Sequence, residues 1–294
     1  MSAENDGEDT IVRRKWLDAV VEYYDHTRFD YWAVWHNRDN YAFHFGYYGG
    51  GVREHAHALN NSNSVLAEVA RVSAGDRVLD AGCGLGGSSF WLAANRGAEV
   101  VGITPVAHQV AKAKKIARAR ALEDRVRFEL ADYTRMPFPA ASFDVVWALE
   151  SLCHATNKPA FYREAARVLR PGGRLVVAEY MRMSRSLGAN TEALLREWLD
   201  GWSIPDLDSS AEHRAGAAQA GFADIQLADN TPAARPSLRR LYKLAYVIGP
   251  FDLALHHLGL RSKAQHGNVL ASLRQYQLLR QGAWFYGILS ATKW

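Results

Sequence analysis

The sequence predicts an α/β fold built on a mostly parallel sheet with helices on both faces. Three observations carry this reading. Short apolar runs near residues 77–81, 99–103, 126–130, 144–149 and 174–179 alternate with segments of helical periodicity, the pattern of strands joined by crossover helices. The first run ends in an acid and a glycine-dense turn, Asp80-Ala81-Gly82-Cys83-Gly84-Leu85-Gly86-Gly87, which leads into a helix-like stretch from Ser88 to Ala93. The 294 residues are 48% hydrophobic, enough for one large core with an elaborated cap.

In chain order, the stretch from Met1 to Asp9 is acidic and polar. It lacks the apolar segment of a signal peptide and reads as a frayed tail. Residues 11–24 read as an amphipathic helix, with Trp16, Val20, Tyr23 and Tyr24 on one face and Arg13, Arg14, Asp18 and Glu22 elsewhere. Residues 28–48 are dense in aromatic side chains, among them Phe29, Tyr31, Trp32, Trp35, Phe43 and Tyr47. A helix from about Glu54 to Val72 leads into the first strand. Before the fifth strand, Asn157 caps a helix that carries Pro159 in its first turn and Phe161, Ala165, Val168 and Leu169 on its buried face. Beyond Glu179 the alternation stops. Helices are expected at 190–200 and 211–220, with a break at Ile204-Pro205-Asp206, then a short strand at 225–227. Residues 237–282 read as mostly helical, broken at Gly249-Pro250 and around 259–267, and Trp284 to Ala291 read as the last strand.

The two cysteines, Cys83 and Cys153, cannot form a disulfide framework, which points to a reducing, cytoplasmic setting. The net charge is +4, but the basic residues are dispersed apart from Arg235, Arg239, Arg240 and Lys243. A solvated surface or a contact with one anionic group accounts for that cluster better than a nucleic-acid face. The most apolar long segment, Leu241 to Leu260, is interrupted by Lys243, Gly249-Pro250, Asp252 and His256-His257, so no membrane span is expected. No metal site is expected, and a homodimer is left open.

The turn after the first strand is where a ligand is expected. Glycines let the backbone turn sharply and approach a ligand closely, and the first N–H groups of the following helix point at it. Gly82, Gly84 and Gly87 fit G-x-G-x-x-G, but a dinucleotide site also wants a carboxylate at the end of the second strand. There the sequence reads Gly102-Ile103-Thr104-Pro105. An acid stands instead before the turn, at Asp80, a position suited to a cofactor with a cationic amino-acid end, such as S-adenosylmethionine.

Asp80 to Gly87 resembles motif I of the class I S-adenosylmethionine-dependent methyltransferases. Further matching segments follow in order: Ala131-Asp132-Tyr133, Met136-Pro137-Phe138-Pro139, Ser142 to Trp147 and Leu169 to Val177. The branch resembled contains tocopherol methyltransferases, sugar O-methyltransferases of natural products and cyclopropane synthases. The resemblance implies a Rossmann-like, seven-stranded sheet whose last two strands form a hairpin. Residues 1–64 would then be an N-terminal helical and aromatic lid, 65–230 the cofactor-binding core, 231–283 a helical cap inserted before the last strand, and 284–294 that strand. It also implies roles for strand-end residues. Asp80 and the backbone of Gly82, Cys83, Gly84 and Gly86 would hold the methionine end, aided by the Leu149 carbonyl. Thr104 and Gln109 would meet the ribose, a departure from the acid that many members place there. Asp132 and the amide of Tyr133 would meet the adenine. His44, Tyr47 and Tyr24 would reach the methionine carboxylate or the substrate.

Methyl transfer needs an aligned nucleophile, and a base only when that nucleophile has a proton to lose. His154 follows the fourth strand and Glu179 ends the fifth, so both should face the methyl group, the histidine as base and the carboxylate orienting it. The expected substrate is a small molecule with considerable apolar surface. O-methylation of a hydroxylated natural product or phenol comes first. C-methylation of an aromatic ring or isoprenoid follows, with the basic cluster holding a diphosphate, and then N-methylation of an amine. Use of the bound cofactor without methyl transfer, and NAD-dependent dehydrogenation, are the rivals from other classes.

Overall fold

The computed structural model describes the backbone of residues 2–35 and 40–294, and their side chains except those of residues 2–13, 32, 33 and 35. The readings made for Arg13, Trp32 and Trp35 lie outside the described side chains. Seven strands form one sheet: β1 (Arg77–Ala81), β2 (Glu99–Thr104), β3 (Val126–Leu130), β4 (Phe143–Leu149), β5 (Leu169–Arg182), β6 (Phe222–Asp229) and β7 (Trp284–Lys293), in the order β3-β2-β1-β4-β5-β7-β6. All neighbours pair in parallel except β7, which runs antiparallel to both β5 and β6. This is the seven-stranded arrangement, with its last two strands forming an antiparallel pair, that the resemblance implies.

The strands read as nearly unbroken apolar runs because both faces of the sheet are covered. Successive residues point to opposite sides, so Val78, Val100, Val145, Trp147 and Val176 enter one core and Leu79, Val101, Val146 and Val177 enter the other. The crossover helices are α4 (Gly87–Arg96), α5 (Ala107–Ala119) and α6 (Lys158–Val168). The Asn157 side chain caps α6 by accepting from the Ala160 amide at 3.0 Å, as its sequence predicts.

Three helices precede the sheet: α1 (Ser2–His26), α2 (Arg28–Trp35) and α3 (His55–Val69). Because α1 begins at Ser2, the stretch expected to fray is helical. After β5 come α7 (Ala189–Gly201) and α8 (Ser210–Gln219). Between β6 and β7 lie α9 (Thr231–His257) and α10 (Lys263–Arg280). The break expected at Gly249-Pro250 does not occur. Helix α9 runs through Pro236 and Pro250, with Leu241, Ala245 and Asp252 buried along one side, so packing holds a backbone that proline disfavours. The strand expected at 225–227 extends over all of β6, because β7 pairs with it on both sides of an irregularity between Ala223 and Gln226.

Candidate active site

A cleft opens at the carboxyl ends of β1, β2 and β4, where an open α/β sheet binds ligands. Its floor is the turn after β1. Gly82, Gly84 and Gly86 all have positive φ, at 91°, 54° and 86°, a region that side chains resist. A Cβ on Gly82 would stand 2.3 Å from the Cβ of Ser151, and one on Gly86 would stand 2.5 Å from the Phe128 ring. Gly82, Cys83 and Gly84 face the cleft. Gly86, also expected at the cofactor, does not line the cleft; there it lets the start of α4 close onto Phe128. The Cys83 thiol is turned to the Gly84 carbonyl at 3.8 Å, which leaves the backbone as its contribution to the turn.

Asp80 is buried in the cleft wall and accepts from the Ser89 hydroxyl at 2.6 Å. Burial pushes its carboxyl up to about 6, against the lowering effect of the Ser89 bonds. At the end of β2, Thr104 donates to Gln109 Oε1 at 2.8 Å and accepts from the Val106 amide at 3.3 Å. The two residues expected at the ribose are therefore tied to each other, and both line the cleft. The cap of α5 is Val106 rather than Thr104. Asp132 closes its own turn, accepting from the Thr134 amide and hydroxyl, both at 2.7 Å. The Tyr133 hydroxyl donates to the Ser151 carbonyl at 2.9 Å. Asp132, Tyr133 and Leu149 all stand in the same wall.

His44 enters from the aromatic segment. A carbonyl only accepts, so the contact of His44 Nδ1 with the Phe45 carbonyl at 3.2 Å puts the proton on Nδ1. Nε2 is left as a buried acceptor without a hydrogen-bond partner in the cleft wall. Burial pushes this imidazole down to about 4. Tyr47 is not at the cleft: its hydroxyl donates to that of Tyr286 at 3.2 Å, in the core.

A second cavity adjoins the first. Tyr24, Phe43, Glu150 and His154 belong to the walls of both. The rest of its wall is largely apolar and aromatic, with Tyr31, Phe45, Tyr180, Trp202, Leu241 and Ile248. At one end the Arg261 guanidinium binds Asp30 through two hydrogen bonds, at 3.0 and 2.8 Å, and pairs with Asp252. The Arg235, Arg239, Arg240 and Lys243 cluster is exposed on α9 and lines neither cavity, so it has no place for a diphosphate at this site.

His154 ends a single 3-10 turn, Leu152–His154, just after β4. Its Nδ1 donates to the Ser203 carbonyl at 3.0 Å, and its Nε2 accepts from the Tyr24 hydroxyl at 3.1 Å. The Trp16 indole donates to the His154 carbonyl at 3.1 Å, so helix α1 grips this loop twice. Burial pushes the imidazole down to about 4 and holds it neutral. The expected pairing with Glu179 does not form. Glu179 lies on the sheet, buried, and accepts from the amides of Cys153 at 2.7 Å and Tyr180 at 2.8 Å. It lines neither cavity, and a backbone carbonyl from the loop after α7 orients the histidine in its place.

Sequence reasoning passed over Glu150. The first residue after β4, at φ 51°, it accepts from the Phe45 amide at 2.8 Å, the Tyr286 hydroxyl at 2.7 Å and the Tyr180 hydroxyl at 2.5 Å. Burial pushes its carboxyl up to about 7. The signal was present: an acid at a strand end, the same rule that singled out Asp80 and Asp132.

The family profile described as Methyltransferase domain matches residues 79–177, from β1 into β5. Methyltransferase GfsG of Streptomyces halstedii is 34% identical over 224 residues, which cover 76% of this chain and 78% of that protein. The chain belongs to the S-adenosylmethionine-dependent small-molecule methyltransferases. Another member, the 27-O-demethylrifamycin SV methyltransferase of Amycolatopsis mediterranei, is 37% identical over 195 residues, 66% of this chain and 71% of that one. The solved structure of the [4+2]-cyclase SpnF superposes on this methyltransferase with a TM-score of 0.76 and 26% identity, over 93% of this chain and 94% of that one. S-adenosylmethionine is the cofactor of this methyltransferase, and the cleft suits it. Asp80 offers a buried carboxylate to an ammonium, His44 Nε2 is a buried acceptor without a partner, and the turn beneath them excludes a Cβ at Gly82.

Proposed function

We propose that this enzyme O-methylates a hydroxyl group on a small, largely apolar natural product or phenol. One observation carries the reading. Where the two cavities meet, a neutral imidazole presents its proton-free Nε2 to a hydroxyl group, that of Tyr24 at 3.1 Å. The Tyr24 phenol marks where a substrate hydroxyl stands. The substrate hydroxyl displaces that of Tyr24, and His154 takes its proton as the oxygen attacks, with Nδ1–H fixed on the Ser203 carbonyl so that the Nε2 lone pair stays aimed at the acceptor. S-adenosylmethionine supplies an activated methyl on a good leaving group, which leaves alignment as the protein's main task. In this reading Asp80, the backbone of Gly82, Cys83 and Gly84, the Leu149 carbonyl and His44 hold its amino-acid end. Thr104 and Gln109 hold the ribose, and Asp132 and the Tyr133 amide hold the adenine.

The substrate occupies the second cavity, roofed by α9 through Leu241 and Ile248 and closed by the N-terminal lid through Tyr24, Tyr31 and Phe43. Its aromatic wall supports an apolar substrate. The Amycolatopsis relative, named for 27-O-demethylrifamycin SV, supports a natural-product hydroxyl. Two free, buried cysteines support a reducing, cytoplasmic location.

The test is transfer of a labelled methyl group to a panel of hydroxylated natural products and phenols, with the His154→Ala variant beside the parent. The variant should lose about 10²–10⁴-fold in kcat and keep its affinity for S-adenosylhomocysteine. Near-normal turnover would overturn the assignment. C-methylation is the second reading, favoured by Glu150. A carboxyl raised to about 7 on the wall of both cavities is matched to taking a proton from carbon near neutral pH. That reading requires Glu150→Gln to abolish turnover while His154→Ala spares it.

A further inference from the structure

The outer face of α9 is at odds with the rest of the surface. Its inner face lines the second cavity with Leu241, Leu244, Ala245, Ile248 and Leu255. Its outer face, read at helical spacing, carries Arg239, Lys243, Tyr246, Pro250, Ala254 and His257, all exposed. Val247 and Leu258, beside this stripe, are 75% and 72% exposed, and Leu260 in the following turn is 70% exposed. Apart from Asp252, which is buried, and His256 and His257 at its end, the second half of α9 is apolar on both its inner and its outer side. A helix of that kind is normally buried, yet among the described residues nothing covers its outer side. Such a contiguous apolar patch marks an interaction surface.

We propose that this tip of the cap docks on an anionic lipid surface. Charge decides the occupant. From residue 235 to 263 the chain exposes Arg235, Arg239, Arg240, Lys243 and Lys263; its remaining charges, Arg261 and the buried Asp252, are paired with each other and Arg261 also with Asp30. Exposed basic residues adjoining an exposed apolar patch supply the two attractions that hold a protein at an anionic membrane interface. A two-fold contact with another copy would set this basic helix against itself. The docking also has a purpose. Phe251 is 69% exposed on the tip and also lines the second cavity, so the mouth of that cavity opens among the apolar residues. A lipid-dissolved substrate enters there without crossing water. This delivery role rests on reading the second cavity as the substrate site; the docking itself does not.

The experiment is co-sedimentation of the full chain with vesicles of phosphatidylcholine, with and without phosphatidylglycerol, over a range of salt. The parent should bind the mixed vesicles, weakly or not at all the neutral ones, and release as salt rises. The triple variant Arg239→Gln, Arg240→Gln, Lys243→Gln should bind about a hundredfold more weakly, since each basic residue near an anionic surface contributes about fivefold. The double variant Val247→Glu, Leu258→Glu should lose binding. Both variants should keep the parent's affinity for S-adenosylhomocysteine in calorimetry, which shows that they are folded. Failure of the parent to bind either vesicle would overturn the proposal, as would binding that neither variant weakens. So would a concentration-dependent dimer in sedimentation velocity that the double variant abolishes, because the patch would then join copies of the chain. A failed His154 assay leaves all these readouts intact.

Discussion

Glu150→Gln isolates the energetics of the carboxyl at the centre of the site. In the folded protein burial raises this group from 4.5 to about 7, even though three donors hold it. Between those values the folded chain keeps a proton that the unfolded chain has released, so stability falls as pH rises through the window. The full loss is about 3 kcal/mol, at about 1.4 kcal/mol for each tenfold change in proton affinity. Glutamine cannot ionise. Its oxygen keeps the Phe45 amide and the Tyr286 hydroxyl, and its NH2 group donates to the Tyr180 hydroxyl, which can turn to accept. At pH 5 the variant should therefore match the parent to within about 1 kcal/mol. By pH 8 it should gain up to about 3 kcal/mol on the parent. Asp80 is raised by burial in the same way and cancels in the difference; Glu179 is raised mainly by burial and in part by the charge of Glu150, so the variant relieves it as well and adds to the gain in the same direction. The assay is urea unfolding of both proteins at pH 5, 6, 7 and 8 without cofactor. A stability difference that stays flat across that range would show that Glu150 is ionised throughout, and would refute the argument from burial.

Three further outcomes are expected. Asp80→Asn should weaken S-adenosylmethionine binding about 10–100-fold in calorimetry, the worth of one charge-assisted hydrogen bond; unchanged affinity would remove Asp80 from the cofactor site. Gly86→Ala should cost about 2–5 kcal/mol in unfolding experiments, because a Cβ there meets both a left-handed backbone and the Phe128 ring; a neutral result would mean that the turn can relax. Tyr24→Phe frees His154 Nε2 and should leave methyl transfer to a hydroxyl acceptor within a factor of a few of the parent. A loss as large as that of His154→Ala would make the Tyr24 phenol a participant in the proton transfer rather than a marker of its place.

The local steps of the fold were legible in the sequence because they depend on neighbours along the chain. Apolar runs gave the five parallel strands within a few residues, Asn157 and Pro159 gave the start of α6, and an acid before a glycine turn gave the ligand end of the sheet. The same strand-end rule pointed to Asp80, Thr104, Asp132, Tyr133 and Leu149, to which the family resemblance added Gln109, and all six line one cleft. What the sequence misplaced depends on partners distant in the chain. The orienting group of His154 is a carbonyl 49 residues away, and any of the intervening carbonyls would look the same in a string of letters. Glu179 was read by its type and position, but two amides already occupy its oxygens. Gly86 belongs to the motif by spacing and to the core by its contact with Phe128. Glu150 was marked by its place at a strand end, but its burial and raised proton affinity arise only once Phe45, Tyr180 and Tyr286 arrive from three separate parts of the chain. The sequence by itself thus determined the sheet and the cleft at its end, since periodicity and turn chemistry are properties of adjacent residues. Tertiary structure alone decided which carboxyl is buried at the junction of the two cavities, and which side of α9 is left bare, because burial is set by what packs against a residue and not by what stands beside it in the chain.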